Sequence, residues 1–396
     1  MPLPPFSVPS LRARPALRCA LALLLCALAA CGSPDDTLDP GTPGGAPTSA
    51  GQAAQPGTGG AAPDAGSGSA ATSPGSPGAV SAAAPAGSLV KRLQAQPMAA
   101  SGSEGWLAPT ALQLHAFAQA LAALLDAPGS AQARQELAQL GFSTADFRDS
   151  ASGTPLLLVE DAAQARGAGT VVLNLAPARD LWLEAPHATS DTGTGDEAAR
   201  LLVSLGARAL VVTGADRCAS AALTPCTAGA TSACGGQLRV SDAAHYTENF
   251  FTAAHRALRA ALPHTPALSV HGFVTGGTEA AVVSDGTRAS AAPGALTLRV
   301  RDALNHRLPQ GRATSCNDPA DTAYRPLCAT TNVQGRIDNG AADACLQGAG
   351  SASGLFLHVE QAPALRRAGA SEDAVEAALM DSFTCSLPGP ARGCGA

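Results

Sequence analysis

Short apolar runs alternate with amphipathic helical patterns after residue 100, and this alternation leaves few possible architectures. Several runs are continuously apolar and of strand length, which is typical of strands covered on both faces. The predicted strands are 156–159, 171–175, 181–185, 209–213, 267–270, 296–300 and 355–359. The predicted helices are 112–125, 131–140 with Ser130 as N-cap, 197–205, 246–262 and 372–383. This order predicts an α/β domain in which helices cover both faces of a mostly parallel twisted sheet.

The first 31 residues are typical of an export signal. Three arginines precede an apolar run at 20–30 that is too short to span a bilayer. The run ends in Leu28-Ala29-Ala30-Cys31-Gly32, which resembles the lipobox of bacterial lipoproteins, where the cysteine becomes the acylated first residue. The alternative is an ordinary secretory signal that contains Cys31 by chance. We expect acyl chains on Cys31 to hold the protein on a membrane surface of the cell envelope, and Gly32 favours the outer membrane of a host with two membranes.

Residues 32–100 consist largely of Gly, Ala, Pro, Ser and Thr. They carry too little apolar surface to offset the entropy of an ordered chain, so we predict a tether. Residues 101–396 then form a single domain, long enough for a substantial core. Removing the three signal arginines from the 25 basic residues leaves 22 against 31 acidic residues, a formal charge of -9. This charge does not favour a nucleic-acid partner.

Eight cysteines remain besides Cys31 and the two in the signal. An even number of cysteines in an exported protein predicts disulfides. Their spacings lack the C-x-x-C pairs of structural zinc sites. The sequence does not fix the pairing, although the neighbours Cys385 and Cys394 are plausible partners. We expect the disulfides to hold the long polar loops at 218–234 and 316–345.

Two histidines follow or end predicted strands, where ligands bind in α/β sheets. His187 comes after the strand at 181–185, with Asp191 four residues later, and His271 ends the strand at 267–270. Two imidazoles and a carboxylate are ligands of hydrolytic zinc sites, so the pattern predicts a Zn²⁺ centre. The alternatives are a solvent-exposed loop histidine for His187 and a hydrogen-bonded core histidine for His271.

Glu360 ends another apolar strand, where burial would raise its proton affinity. Such a carboxylate suits a general base that accepts a proton from water. The alternative is a structural ion pair with Arg366 or Arg367. His358 lies two residues earlier on the same face of the strand, so it is a candidate for substrate contact.

Arg217 follows the strand at 209–213, where its guanidinium could bind a substrate carboxylate at two points. The alternative is an ion pair with Asp216 or a bond to a loop carbonyl. Asn332 and Arg336 form a second polar cluster with the same possible role. The remaining histidines near this part of the chain, His245 and His255, are predicted only to line or support the site.

In order and spacing these residues resemble the poly-γ-glutamate hydrolases and N-formylglutamate amidohydrolases, and more distantly the metallocarboxypeptidases. The first of these families carries a histidine, three residues, a glutamate and then x-Gly-Thr. It also carries a strand followed by His-Gly, and a late strand with a catalytic glutamate that Leu-Arg soon follows. The matching residues are His187, Asp191, Gly193, Thr194, Val270-His271-Gly272, Val359-Glu360 and Leu365-Arg366. The resemblance covers about residues 155–385.

This resemblance implies a three-layer α/β/α domain of the phosphorylase/hydrolase-like type. It implies that Zn²⁺ is bound by His187, Asp191 and His271, that Glu360 is the general base, and that Arg217 stabilises the oxyanion. Asp191 departs from the family's glutamate and is one methylene shorter. Either the loop compensates, or Asp196 or Glu197 takes that position, or the metal is weakly bound or absent.

The function predicted from the sequence is zinc-dependent hydrolysis of amide or peptide bonds in a carboxylate-bearing substrate. An alternative is a surface-displayed binding or structural lipoprotein that keeps the fold without catalysis. A third reading is a disulfide-linked envelope scaffold in which the histidines are incidental.

Overall fold

The computed structural model describes residues 84–161, 166–227, 229, 231–274, 279–321 and 325–395. The predicted signal, the lipid site at Cys31 and the tether up to residue 83 lie outside the described residues. Within them, the chain forms a sheet of ten strands and eight α-helices.

The strands are β1 (Ala86–Gly87), β2 (Phe142–Asp149), β3 (Pro155–Asp161), β4 (Thr170–Asn174), β5 (Trp182–Ala185), β6 (Ala209–Val212), β7 (Ala267–Gly272), β8 (Glu279–Ser284), β9 (Arg312–Ser315) and β10 (Phe356–Gln361). The helices are α1 (Leu89–Gln94), α2 (Ala111–Asp126), α3 (Ala131–Gln139), α4 (Thr194–Leu205), α5 (Phe250–Ala261), α6 (Leu296–Arg307), α7 (Val333–Asp338) and α8 (Ala370–Ser382). Ser130 caps α3 as predicted, since its hydroxyl accepts a hydrogen bond from the Ala133 amide.

The sheet has the strand order β1-β2-β3-β4-β6-β5-β7-β10-β8-β9. Its centre, from β6 through β5 and β7 to β10, is parallel throughout. Antiparallel pairs join β2, β3, β4 and β6 on one side and β10 to β8 on the other. The carboxyl ends of the four central strands therefore meet at one edge of the sheet.

Helices pack on both faces of the sheet, so the predicted α/β class is confirmed. The cores on the two faces show the alternation of side chains in β5. Trp182 belongs to the core that includes residues of α2, α3 and α5, whereas Leu183 belongs to the core that includes residues of α1, α4, α6 and α8. Both side chains are fully buried. Burying a leucine or an aromatic side chain of this kind stabilises a fold by roughly 1.5–3 kcal/mol.

The predicted strand at 296–300 is wrong, because these residues begin helix α6. The buried positions of that helix are Thr297, Val300 and Leu304, which recur at intervals of three and four residues. This stripe faces the core that α8 shares. The run 296–300 alone predicts a strand because it is too short to include Leu304, which completes the helical period.

The folded part begins earlier than the predicted boundary at residue 101. β1 pairs with β2, and Leu89 on α1 is only 1% exposed. The Arg92 guanidinium donates to both carboxylate oxygens of the buried Glu160 at 2.8 and 2.6 Å. A few apolar and charged residues therefore attach the end of the Gly- and Ala-rich segment to the domain.

All eight cysteines of the domain form disulfides, as predicted. The pairs are Cys218–Cys234, Cys226–Cys345, Cys316–Cys328 and Cys385–Cys394. The first two hold loops that follow β6 and α7, near the edge where the central strands end. In the described part of the chain, no helix is both long and apolar enough to cross a membrane.

Candidate metal centre

The central strands bring the predicted site residues together. His187 lies two residues after β5, Arg217 lies in the loop after β6, and His271 lies in β7. His358 and Glu360 lie in β10, where the register pairs Glu360 with His271. Because these strands are parallel, residues distant in sequence share one end of the sheet.

Asp191 lies between the two predicted histidine ligands. Its Oδ2 atom is 3.3 Å from Nδ1 of His187 and 3.4 Å from Nδ1 of His271. The two imidazole rings are nearly perpendicular, with centroids 4.8 Å apart. All three residues are buried, and their ligand atoms lie within 4.8 Å of one another. The predicted ligands thus form a compact group that could hold one cation.

A tight loop turns Asp191 back towards the histidines. The Asp191 amide donates to the His187 carbonyl at 2.8 Å, and the Gly272 amide donates to Asp191 Oδ2 at 3.0 Å. Gly193 has a φ of 95°, a conformation that favours glycine, and α4 starts at the next residue. The loop thus places the aspartate carboxylate within 3.4 Å of both histidines despite its shorter side chain.

The other nitrogen of each histidine also has a partner. His187 Nε2 lies 2.8 Å from Asp242 Oδ1, and His271 Nε2 lies 3.1 Å from the Ser269 hydroxyl. Donation from His187 Nε2 to Asp242 leaves a lone pair on Nδ1, the atom that faces Asp191. Metal-binding histidines are commonly oriented in this way.

Asp242 was not predicted from the sequence. Its carboxylate also contacts Arg217 Nε at 3.2 Å and His245 Nδ1 at 3.0 Å. Burial opposes ionisation of Asp242, but the charges of His245, Arg217 and His187 outweigh it and hold its pKa well below the ordinary value. The only signal in the sequence was its position three residues before His245.

Arg217 pairs with Asp242 rather than with Asp216. Its Nη2 atom lies 2.8 Å from Nδ1 and 2.7 Å from Nε2 of His187. The guanidinium thus lies against the same ring that Asp191 approaches, instead of pointing away to bind a substrate carboxylate. A cation bound at Nδ1 would require Arg217 to move aside.

Glu360 is buried beside this group without an ion pair. Its Oε2 atom finds no hydrogen-bond partner among the described residues, and its Oε1 atom lies 3.7 Å from His358 Nε2. Arg366, the alternative partner, donates to the Thr192 carbonyl at 2.7 Å. Burial and the charge of Asp191 raise the pKa of Glu360 to about 8. Such a carboxylate can accept and return a proton near neutral pH.

The histidines differ in their affinity for protons. Burial, with the charge of His187, lowers the pKa of His271 to about 4 although Asp191 opposes the shift. Burial and neighbouring histidines lower the pKa of His358 well below its usual value. Burial and Arg217 act in the same direction on His187, but Asp242 and Asp191 outweigh them and raise its pKa. The shifts favour the neutral form of His271, which a metal ligand must have, and the protonated form of His187, which would have to lose its proton before it could bind a metal.

Other predicted residues lie elsewhere or are already engaged. Glu197 accepts a hydrogen bond from Gln361 at 2.9 Å, and Asp196 accepts one from Gln94 at 2.7 Å. Neither carboxylate belongs to the groups of possible metal ligands among the described residues. His255 lies between Glu184 and Asp338 in a separate buried network.

The second polar cluster helps to form a neighbouring loop. Asn332 caps α7 by accepting from the Gly335 amide, and Arg336 donates to the carbonyls of Thr330, Ala344 and Cys345. Thr331, between them in sequence, contacts His245 Nε2 at 3.2 Å. The cluster therefore borders the centre through His245 without entering it.

The donor set fits a metal ion. The described residues contain three overlapping groups of suitable ligands. They are His187, Asp191 and His271; His187, Asp242 and His245; and His271, His358 and Glu360. Two imidazoles with one carboxylate are a donor set that zinc accepts. Beside the first group, the buried atoms His358 Nδ1 and Glu360 Oε2 have no hydrogen-bond partner among the described residues. Both atoms are therefore free to contact a bound molecule.

Comparisons with known proteins identify no family. No protein-family model matches the chain, and no curated protein matches it. A metallo-carboxypeptidase structure from Burkholderia cenocepacia is 14% identical with a TM-score of 0.28, over 64% of this chain and 68% of that one. A metallo-carboxypeptidase from Pseudomonas aeruginosa, in complex with (2-guanidinoethylmercapto)succinic acid, is 13% identical with a TM-score of 0.27, over 64% and 67%. Superpositions at this level carry no argument about function, so the family resemblance remains a prediction from the sequence.

Proposed function

We propose that this protein is a metal-dependent hydrolase of amide or peptide bonds, with Zn²⁺ bound by His187, Asp191 and His271. The observation that carries the proposal is the meeting of both Nδ1 atoms at Asp191 Oδ2, while both Nε2 atoms have other partners. When bound, zinc supplies a Lewis acid that polarises a carbonyl and promotes the ionisation of water. Three protein ligands leave a coordination position open for this chemistry.

Glu360 is proposed as the general base. Its unpartnered Oε2 would accept a proton from the attacking water, and the protonated carboxyl would pass that proton to the leaving nitrogen. The buried position of Glu360 supports the second half of this role, since the carboxyl can hold the accepted proton near neutral pH until it passes to the leaving nitrogen. A positioned acid–base group of this kind contributes typically about 10²–10⁴-fold to the rate.

Arg217 is proposed to stabilise the developing oxyanion after it leaves the His187 ring. Its hydrogen bond to Asp242 would keep the guanidinium close to the proposed metal ligands, where the oxyanion would form. His358, Asn332 and Arg336 are proposed to contact the substrate or to shape its binding site. The substrate proposed for this set of donors carries a carboxylate.

The first test is the metal content of wild type and of the His187→Ala and His271→Ala variants. We expect about one zinc ion per folded wild-type chain and its loss from both variants, since each removes one of three ligands. Circular dichroism checks that the variants fold. A wild type that neither contains nor takes up metal would exclude the mechanism.

The Glu360→Gln variant tests the base separately. It should keep the metal, because Glu360 is not among the proposed ligands, and lose hydrolysis of acyl-amino-acid and peptide substrates. Unchanged hydrolysis in a metal-loaded Glu360→Gln variant would remove Glu360 from the mechanism.

A second candidate function is a surface-displayed binding lipoprotein without catalysis. The contact of Arg217 with both nitrogens of His187 favours it, because a guanidinium there competes with a metal cation. The metal measurement separates the two functions. Anchoring through Cys31 is proposed for either one, and intact mass of the membrane-extracted protein tests it: a mature chain without acyl mass would contradict the anchor.

A further inference from the structure

Thr331, His245 and Asp242 form a second chain of contacts beside the candidate metal centre. Thr331 Oγ1 lies 3.2 Å from His245 Nε2, and His245 Nδ1 lies 3.0 Å from Asp242 Oδ1. A hydroxyl, an imidazole and a buried carboxylate in this order can act as the nucleophile, the base and the orienting group of acyl transfer without a metal. Asp242 and His245 lie between β6 and α5, whereas Thr331 lies just before α7, so no local sequence pattern joins them.

The partners of Asp242 determine which nitrogen of His245 carries the proton. Asp242 is fully buried and accepts hydrogen bonds from Arg217 Nε at 3.2 Å and from the Ala244 amide at 3.1 Å. Pairing with a guanidinium favours the ionised carboxylate, which can only accept hydrogen bonds. His245 Nδ1 therefore donates to Asp242, and the lone pair on Nε2 faces the Thr331 hydroxyl as a general base requires.

Further contacts hold the two loops against each other. The Val333 amide donates to the Ala244 carbonyl at 2.9 Å, and the Gln334 side chain donates to the Ala243 carbonyl at 2.9 Å. Ala329, two residues before Thr331, has a φ of 55°, which is a strained conformation for a residue with a side chain. Backbone strain of this kind is concentrated at active sites, and here it lies beside the hydroxyl.

A groove with a volume of about 530 Å³ gives a small molecule access to Thr331, which lines it. The volume lies within the range of roughly 300–1,000 Å³ that small-ligand sites occupy. None of the described residues that line the groove is aromatic or a large aliphatic, which favours a short acyl chain. Arg288 also lines it and is exposed, so its guanidinium can donate to an oxygen that becomes negative.

We propose that Thr331 is the nucleophile of a second activity, the metal-independent hydrolysis of short-chain esters. Thr331 Oγ1 attacks the ester carbonyl while its proton passes to His245 Nε2, and the alcohol leaves with that proton as its bond to the carbonyl carbon breaks. Water then attacks the acyl-threonine and gives a proton to His245. That proton returns to Oγ1 as the acid leaves, so the net reaction consumes one ester and one water.

The experiment measures hydrolysis of p-nitrophenyl acetate by the folded, chelator-treated protein. The variants are Thr331→Val, which keeps the shape of the side chain without its hydroxyl, and Thr331→Ser, which keeps a hydroxyl. Thr144→Val, on β2, is the matched control. Thr331→Val retains all eight histidines of the chain, so hydrolysis by histidine side chains alone persists in it and is subtracted.

Wild type and Thr144→Val should hydrolyse the ester at equal rates. Thr331→Val should be slower by about 10²-fold, the lower end of what a positioned general base contributes, because the base has no hydroxyl to activate. Thr331→Ser should restore most of the rate. Equal rates for wild type and Thr331→Val, or hydrolysis that appears only after zinc is returned, would overturn the inference.

Covalent labelling of wild type with diisopropyl fluorophosphate is a second measurement, and it does not depend on how a variant folds. Thr331 Oγ1 should bond to phosphorus, fluoride should leave, and the hydroxyl proton should pass through His245 to solvent. Peptide mass spectrometry should locate the adduct on Thr331; no adduct, or one only on another residue, would overturn the inference. Labelling of a protein that binds no metal would retain this activity and exclude the zinc hydrolase, and bound zinc without labelling would do the reverse.

Discussion

At the scale of single residues, the pairing of His187 with Asp242 supports the whole centre. Asp242 is fully buried and accepts hydrogen bonds from His187, Arg217 and His245. Asp242 therefore orients His187, a proposed metal ligand. It also holds the Arg217 guanidinium, which competes with a metal for the same ring.

Asp242→Asn should weaken zinc binding about 10- to 100-fold, as loss of an orienting carboxylate typically does. The neutral side-chain amide of the variant can no longer balance the charges of Arg217 and His187. The His187 ring is then oriented less firmly, and its Nδ1 atom is a weaker metal ligand. Competition with a fluorescent zinc chelator measures the change. Asp302→Asn, an exposed substitution on α6, is the control and should bind zinc like wild type. Equal affinity in all three proteins would show that Asp242 has no part in the centre.

Glu197 makes stability depend on pH. It is fully buried, and burial with the nearby Glu372 raises its pKa to about 8, although Gln361, Arg200 and Arg366 oppose the shift. An unfolded glutamate loses its proton near pH ~4.3. Between that pH and about 8 the folded chain holds a proton that the unfolded chain has released, so the free energy of unfolding falls as the pH rises.

Glu197→Gln should remove this part of the pH dependence. Relative to wild type it should gain stability from pH 5 to pH 8, on the order of a few kcal/mol. Urea unfolding at both pH values measures the difference, and effects from other groups such as Glu360 cancel between the two proteins. The exposed Glu248→Gln serves as control. Parallel pH profiles for wild type and Glu197→Gln would mean that Glu197 is ionised in the folded state.

The sequence predicts His187, His271 and Glu360 because each follows or ends a recognisable strand, and it predicts Asp191 because this residue lies four positions after His187. Parallel strands carry such residues to one edge whatever their distance along the chain. Asp242 lies in irregular chain between β6 and α5, and Ser269 lies inside β7. Their importance depends on contacts with the histidines, and no local pattern encodes those contacts.

At the scale of elements, disulfides fix the loops that border the centre. Cys226–Cys345 joins the loop after β6 to the loop after α7 across 119 residues of sequence, whereas Cys385–Cys394 spans 9. A crosslink that closes a longer loop removes more entropy from the unfolded chain.

The Cys226→Ser/Cys345→Ser double variant should lose about 2 kcal/mol more stability than Cys385→Ser/Cys394→Ser. Both double variants remove one disulfide, so the loop length is the main difference between them. Chemical unfolding under oxidising conditions measures each loss. Equal losses would indicate that strain or residual structure in the unfolded chain, and not loop closure, decides the contribution.

Local patterns predicted most elements but not all of them. The sequence predicts a strand at 296–300, where helix α6 begins, because five apolar-rich residues do not distinguish a period of two from one of 3.6. Strand β9 has four residues and lacks a long apolar run, so it depends on pairing with β8 for its formation. Such elements are specified by their neighbours in the sheet.

At the scale of the whole molecule, the described fold includes residues that composition assigned to the tether. β1, α1 and the buried Leu89 and Ala99 all precede residue 101. A composition rich in Gly and Ala marks the average character of a segment, and it does not locate the few side chains that attach its end to a core.

A chain that starts at residue 84 should therefore unfold at the same temperature as the full-length protein. A chain that starts at residue 101 should unfold at a lower temperature, because it lacks Leu89 and the Arg92 pair with Glu160. Differential scanning calorimetry of the three chains compares them directly. Equal unfolding temperatures for the two shortened chains would show that residues 84–100 add no stability, in agreement with the boundary predicted at residue 101.

The proposed ligands come from β7 and from the loop after β5, which lie far apart along the chain, so the centre reports that these two strands have paired. A partly folded chain that lacks this pairing cannot bring the three ligands together, so zinc would favour the states in which β5 and β7 lie side by side. By linkage, each tenfold rise in free zinc above the dissociation constant would add about 1.4 kcal/mol to the free energy of unfolding. The concentration of free metal would then set what fraction of the protein stays folded.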